Sequence, residues 1–148
     1  MIESAHPGFD VDDFEAFRLD GYDELELTPR ARQIAGGLAD FLPSDRERAL
    51  RIVTESLDER IEGDELSGMA GFTYLPHVIF VAEHGLDHFE TAIAAQYELT
   101  TRFTAEFSIR PYLERHRAKT LDRLHTWARD PNAHVRRLVS EGARPRLP

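Results

Sequence analysis

An all-α fold is predicted for this chain of 148 residues by three features of its pattern. Apolar residues recur at helical spacing in one segment after another. Those segments run to about 10–16 residues, the ordinary length of a globular helix. Tight clusters of Pro, Gly, Asp and Asn separate them, and these are helix-start and helix-stop signals.

Residues 1–27 read as an acidic N-terminal arm carrying Phe9, Phe14, Phe17 and Tyr22. Phe14 and Phe17 place a short helix there; the remainder packs by its aromatics or stays loose. Residues 28–148 read as the helical domain. Thr28-Pro29 is a cap followed by proline at the first helical position, and Ile34, Leu38, Phe41 and Leu42 follow at helical spacing up to Pro43. Ser44 and Glu47 have the spacing of a capping box, ahead of a stripe of Leu50, Ile52, Val53, Leu57 and Ile61. Gly63, Gly68 and Gly71 mark a loop. The apolar run YLPHVIFVAEHG would lack partners as a lone strand. It reads as a helix with Pro76 in its first turn and Gly85 past its end. A long helix is expected from Asp87 to Phe103, with Phe89, Ile93, Tyr97 and Leu99 inward. Thr104 caps the next, which bears Phe107, Ile109 and Leu113 and is kinked by Pro111. Leu121, Leu124 and Trp127 line another. Asp130-Pro131-Asn132 is a turn and cap for a last helix from Val135 to Glu141, closed by Gly142.

Composition narrows the function. Apolar residues are 41% and charged residues 30%, as in a globular domain. No cysteine is present, so disulfides and thiolate metal sites are excluded. No run of roughly 18 apolar residues exists, so no membrane span is expected. The first residues lack the basic segment and apolar core of a signal peptide, and the default location is a reducing cytoplasm. The net charge is −9, unevenly spread. Residues 1–65 hold 7 Lys/Arg and 18 Asp/Glu, whereas from Arg102 onward there are 11 and 5. A basic rear can steer a polyanion to one end; the plainer reading is an unevenly charged solvated surface.

Four constellations bear on chemistry. Glu106 stands among Phe103, Phe107 and Ile109, where lost hydration raises a carboxyl pKa unless a cation compensates. Arg110, four residues on, shares its helical face. That is either a plain helix pair, worth about 0.3–0.5 kcal/mol, or a fixed negative charge aimed at a cationic substrate. Arg136, Arg137, Arg144 and Arg146 cluster near the C-terminus, either as a charged outer face or as phosphate contacts. His84 and His88, with His77 near, have zinc-ligand spacing. Gly85 interrupts them, however, and His-Gly-Leu-Asp-His lacks the glutamate of the His-Glu-x-x-His motif, so no metal is expected. Trp127 and Tyr97 read as core residues rather than base-stacking platforms. No phosphate-binding Gly-rich loop or nucleophile elbow occurs, and no cofactor is expected.

The segment DPNAHVRRLVSEG has the shape of the second helix of a HEAT-type repeat, a unit that buries its apolar face only against neighbours. Together with LPHVIFVAEHGLDHFE and QYELTTRFTAEFSIRPYLERH, and with the closing GARPRLP, it closely resembles the bacterial HEAT-like-repeat DNA alkylation repair proteins. Within that family it resembles the AlkC branch of the 3-methyladenine DNA glycosylases. The resemblance covers roughly Thr28 to Pro148. It implies a right-handed superhelix of HEAT-like antiparallel helix pairs whose basic concave face holds duplex DNA. It also implies metal-free hydrolysis of the N-glycosidic bond of cationic alkylated purines. Carried over by motif, the resemblance implies that Glu106 of TAEF is one catalytic carboxylate and that Arg110, Arg136, Arg137, Arg144 and Arg146 are DNA-binding candidates. Members of that branch continue past Arg-Pro-Arg-Leu-Pro with a tryptophan, further repeats and a second catalytic aspartate. The expectation is therefore a truncated solenoid with an incomplete active site, weak salt-sensitive DNA binding, and homodimerisation through an exposed helical end. The alternative is a non-catalytic helical-repeat module that binds DNA or a protein.

Overall fold

The structure, a computed structural model, describes residues 2–18, 21–59 and 68–144. It is all helical among these residues. Two short helices, α1 (Ile2–Ala5) and α2 (Val11–Arg18), precede α3 (Leu27–Phe41) and α4 (Arg46–Glu55). A 3-10 turn, Gly68–Tyr74, leads into α5 (Leu75–His84) and α6 (Phe89–Thr100). The chain ends in α7 (Arg110–Arg115), α8 (Arg117–Trp127) and α9 (Ala133–Gly142). None of the described helices is long and apolar enough to cross a membrane.

The packing is that of stacked helix pairs. Helix α3 lies against α5 and α5 against α7, forming one layer; α4 lies against α6 and α6 against α9, forming the other. Each helix thus packs on its counterpart in the next pair, which is how a helical repeat buries a face that no single pair could cover. The core between the layers is aliphatic and aromatic: Leu38, Leu50, Val53, Phe80, Ile93, Leu99, Ile109, Tyr112 and Leu138 are all buried. The N-terminal segment joins it by aromatics, with Phe9 and Phe14 both against Phe41 at ring separations of 6.2 and 5.5 Å.

Local chemistry explains where the helix boundaries differ from the sequence pattern. Helix α4 is capped by Asp45, not Ser44: the Asp45 carboxylate accepts from the N–H groups of Glu47 (3.1 Å) and Arg48 (3.2 Å). Glu47 is thereby released from the capping box and pairs with Arg51 and with Thr91 of α6. Helix α3 begins at Leu27, before Thr28, with Glu26 as its cap. Gly68 and Gly71 lie in the 3-10 turn rather than a loop, and Gly71 admits the Phe103 ring against its Cα. Ile61 and Gly63 fall outside the described residues. The third pair departs most. Residues 104–109 form turns, and Pro111 starts α7 instead of kinking a longer helix. A proline in the first turn gives up an N–H that has no intrahelical partner anyway. Helices α7 and α8 meet at a bend at His116, whose Nε2 lies 2.8 Å from Leu86 O. The buried Thr120 hydroxyl covers the break, 3.0 Å from both Tyr112 O and His116 O. Leu121, expected inward, is exposed on α8, while Leu124 and Trp127 are buried. Trp127 packs on Tyr97 at 5.5 Å, a core pair as expected.

One polar knot sits beneath this core. Arg102 donates Nη1 to Glu98 O (2.7 Å) and to Glu98 Oε2 (3.0 Å), and Nε to Asp58 O. Tyr74 Oη donates to Asp58 Oδ2 (3.1 Å). Beside it His77 is buried, 3.3 Å from Ser56 Oγ, and burial holds its pKa down to about 4. A histidine kept neutral by folding stabilises fully above its unfolded pKa of ~6.5, and that contribution is lost as pH falls toward the folded value. The expected loss from this residue between pH 7 and pH 5 is ~2 kcal/mol. His77→Leu removes it, so urea midpoints of the variant should change distinctly less with pH across that interval. An unchanged pH dependence would place the acid sensitivity elsewhere.

Candidate active site and nucleic-acid interface

Glu106 occupies the turn between α6 and α7. The turn is firmly held: Ser108 Oγ lies 3.0 Å from Ala105 O and 3.2 Å from Gln96 Oε1, and Ile109 N–H donates to Ala105 O at 3.2 Å. Glu106 N–H faces Thr104 Oγ1 at 3.4 Å. The end of α9 rests on this turn at Gly142. A Cβ there would stand 2.7 Å from Ile109 Cγ2 and 3.7 Å from Glu106 Cα, so only glycine allows this approach.

That approach brings a second helix to the carboxylate. Arg137 Nε is 3.3 Å from Glu106 Oε1 and 3.0 Å from Glu141 Oε2. Glu106 is only 8% exposed. Its pKa is raised, first by burial and then by the hydrogen bond it shares with Glu141; Thr104 and Arg137 act in the opposite direction. The Glu141 carboxyl is lowered by that same hydrogen bond and by Arg137. Two carboxyl groups and one guanidinium thus form a unit whose acidities are pushed apart, the usual setting for an acid and a base to take separate roles. The side chain of Arg137 is 49% exposed, so the cluster opens to solvent on its side.

The expected pairing of Glu106 with Arg110 is not formed. It required both on one helix, and Pro111 starts the helix too late for that. Arg110 instead donates Nη2 to Arg144 O at 2.8 Å. Both arginines, with Glu114, Arg117, Leu121 and Gly142, line a concave cavity of about 370 Å³ beside the Glu106 turn. Arg136 stands apart, donating Nη1 to Asp130 O (2.7 Å) and Pro131 O (2.8 Å), where it closes the turn before α9. Arg146 lies outside the described residues. Arg115 and Arg123 are engaged by Asp87 (2.5 Å) and Glu90 (2.7 Å). The histidines disperse: His84 packs on Phe80, His88 Nδ1 is 4.0 Å from Glu47, and His77 is in the core. Among the described residues no three His, Asp or Glu side chains converge to hold a metal ion.

Glu141 and Arg117 were missed by the sequence reading. Glu141 had a signal, since Arg137 and Glu141 are four apart in a helix. Arg117 had none beyond its charge.

Fold and cluster define the chain as an α-helical repeat protein with a half-sequestered carboxylate pair on an arginine-bearing edge. No family model matches it. The Bacillus subtilis (strain 168) protein described as "Uncharacterized protein YhaZ" is 34% identical over 148 residues, 99% of this chain and 39% of that protein. The solved structure of Pseudomonas fluorescens alkylpurine DNA glycosylase AlkC, bound to DNA containing an abasic site analog, matches with a TM-score of 0.78. It shares 30% identity and covers 99% of this chain and 39% of that one. In sequence and fold the chain is similar to both, and it spans about two fifths of the length of each.

Proposed function

We propose that this chain is part of a DNA glycosylase that binds duplex DNA and hydrolyses the N-glycosidic bond of cationic alkylated purines such as 3-methyladenine. The observation that carries the reading is the Glu106–Arg137–Glu141 unit, in a chain whose whole length matches a DNA-bound alkylpurine glycosylase. Alkylation at N3 makes the purine cationic, so it departs as a neutral base with little need for a general acid. Positive charge then develops on the deoxyribose. A carboxylate in a partly dehydrated setting stabilises that charge more strongly than one in bulk water. Glu106 has this character, with Arg137 supplying the compensating cation in the unliganded chain. The sugar cation is the natural successor to that guanidinium, and Arg137 has phosphates to turn to. Arg110, Arg117 and Arg144 supply further phosphate contacts along the cavity edge. Arg136, fixed on its own turn, contributes less. No metal or organic cofactor is needed.

A second reading, a DNA-binding helical-repeat module without catalysis, is favoured by one observation: Arg137 already neutralises Glu106. Incubating a full-length protein that contains this chain with duplex DNA containing 3-methyladenine tests both. The expected result is release of the free base above the spontaneous rate. Duplex affinity should fall with salt, with a log–log slope of about −0.9 for each phosphate contacted. Binding without release selects the second reading; no duplex binding at low salt removes both.

A further inference from the structure

Gln96 is an amide in an apolar place. It is fully buried on α6, where the other buried residues include Ala92, Ile93, Ala95 and Leu99. A buried amide costs free energy unless its polar ends are bonded. With Oε1 toward Ser108 Oγ at 3.2 Å, Nε2 is buried without a partner, and one hydroxyl proton faces two acceptors, Gln96 Oε1 and Ala105 O. The two ends of an amide have nearly the same shape, so the bonding pattern decides which of them meets the hydroxyl. Half a turn about the last side-chain bond brings Nε2 to Ser108. Gln96 then donates to Ser108 Oγ, and Ser108 donates to Ala105 O. Two bonds form where a single proton had to serve two acceptors, and Nε2 is no longer dry.

We infer that Gln96 is a positioning residue for Glu106, acting through this relay to Ser108 and Ala105; its role rests on the glycosylase reading above. The bonds from Glu106 N–H to Thr104 Oγ1, and from Ser108 and Ile109 to Ala105 O, run within residues 104–109. They shape the turn without fixing it to its surroundings. The Gln96 bond is of another kind, because it crosses to α6, and the relay ends on the carbonyl one residue before the carboxylate. Ala105 and Ser108 are as buried as Gln96, so water does not compete for these bonds. From its other side the turn meets α9 at Gly142. Gln96 thus sets the place of the turn from α6, while α9 brings Arg137 to it. A misplacement of about 1 Å at a group that acts on a transition state can cost ~10²-fold in rate. A buried bond that never touches substrate therefore acts on the rate of the chemical step.

The test uses a full-length protein that contains this chain, with duplex DNA carrying 3-methyladenine. Gln96→Met keeps the length of the side chain and removes both polar ends. It leaves Ser108 bonded to Ala105 O and strands no donor, so the thermal transition should stay within a few degrees of wild type. The kcat for base release should fall about tenfold, part of the full cost of misplacement, with KM nearly unchanged. A side chain serving stability alone would move the transition and spare kcat. In wild-type protein carrying isotope-labelled glutamine, the Gln96 Nε2 protons should show a strong nuclear Overhauser contact to Ser108. Wild-type kcat in folded Gln96→Met, or Nε2 protons without that contact, overturns the relay and leaves the glycosylase reading standing. Should Gln96→Met not fold, the Overhauser contact decides. No base release by wild-type protein overturns the glycosylase reading, and the role of Gln96 with it.

Discussion

Glu106→Gln is expected to slow base release by about 10²–10³-fold while leaving the folded chain no less stable at pH 7. The substitution keeps shape and hydrogen-bonding capacity and deletes only the charge. That charge is what a developing sugar cation would meet, so the transition state loses its stabilisation while ground-state binding, carried by arginines, changes little. The effect should therefore appear in kcat more than in KM. Stability moves the other way for the same reason. Burial raises the Glu106 pKa, so the ionised form is less favourable in the folded chain than in the unfolded one. The sign follows directly: the stability associated with its protonated form is present below the unfolded pKa and is lost as pH rises through the folded one. Glutamine removes that loss. Arg137 keeps Glu141 at 3.0 Å and half its surface in water, so no cation is stranded. Glu141 itself has a depressed pKa, so its contribution is present above the ordinary carboxylate range and fades as pH falls through the folded value. Urea midpoints at pH 4 and 7, with single-turnover base release, measure both halves. Full-rate release by Glu106→Gln would remove this residue from the chemistry.

Gly85→Ala is expected to destabilise the chain by about 3 kcal/mol. Gly85 closes α5, and the added methyl would run into Tyr112 Oη while standing 2.7 Å from Val81 O and 2.9 Å from Ala92 Cβ. Its backbone is right-handed (φ −101°, ψ −7°), so the cost is crowding rather than dihedral strain. Three elements meet at this point, and none can yield alone. Tyr112 is fully buried and donates its hydroxyl to Val81 O at 2.6 Å, linking α7 to α5. Ala92 lies on α6, in the other layer. Tyr112→Phe alone should cost about 1 kcal/mol for the lost hydrogen bond, a modest figure because Val81 O retains the Gly85 N–H at 3.1 Å. In the double variant the nearest obstacle is gone, so the two losses should sum to less than their separate values. Additive losses in a urea double-mutant cycle would mean that the methyl is accommodated elsewhere.

The class of fold was open to sequence reasoning because it rests on local signals. The 3.6-residue apolar spacing, Pro76, Gly85 and the Asp130-Pro131-Asn132 cap each act within one turn of helix, and the structure keeps them except at Phe107 and Leu121, which face solvent. The errors at Ser44 and Thr104 are also local: at the first, two residues of similar capping chemistry stand side by side and Asp45 takes the role, and at the second, Pro111 starts a helix where it could have kinked one. For the site, Glu106 was singled out by its apolar neighbours, and its raised pKa follows from that setting.

What the chain determines by itself is therefore its helices, their apolar faces, the concentration of arginine toward its end and a carboxylate set among hydrophobes, since each depends on residues close in sequence. Tertiary structure alone decides which cation meets that carboxylate, and whether Phe107 faces core or solvent. Arg137 reaches Glu106 because Gly142 lets α9 sit on the 104–109 turn. Such a contact joins residues some thirty positions apart through the packing of two helices on a third, and no periodicity along one segment encodes it.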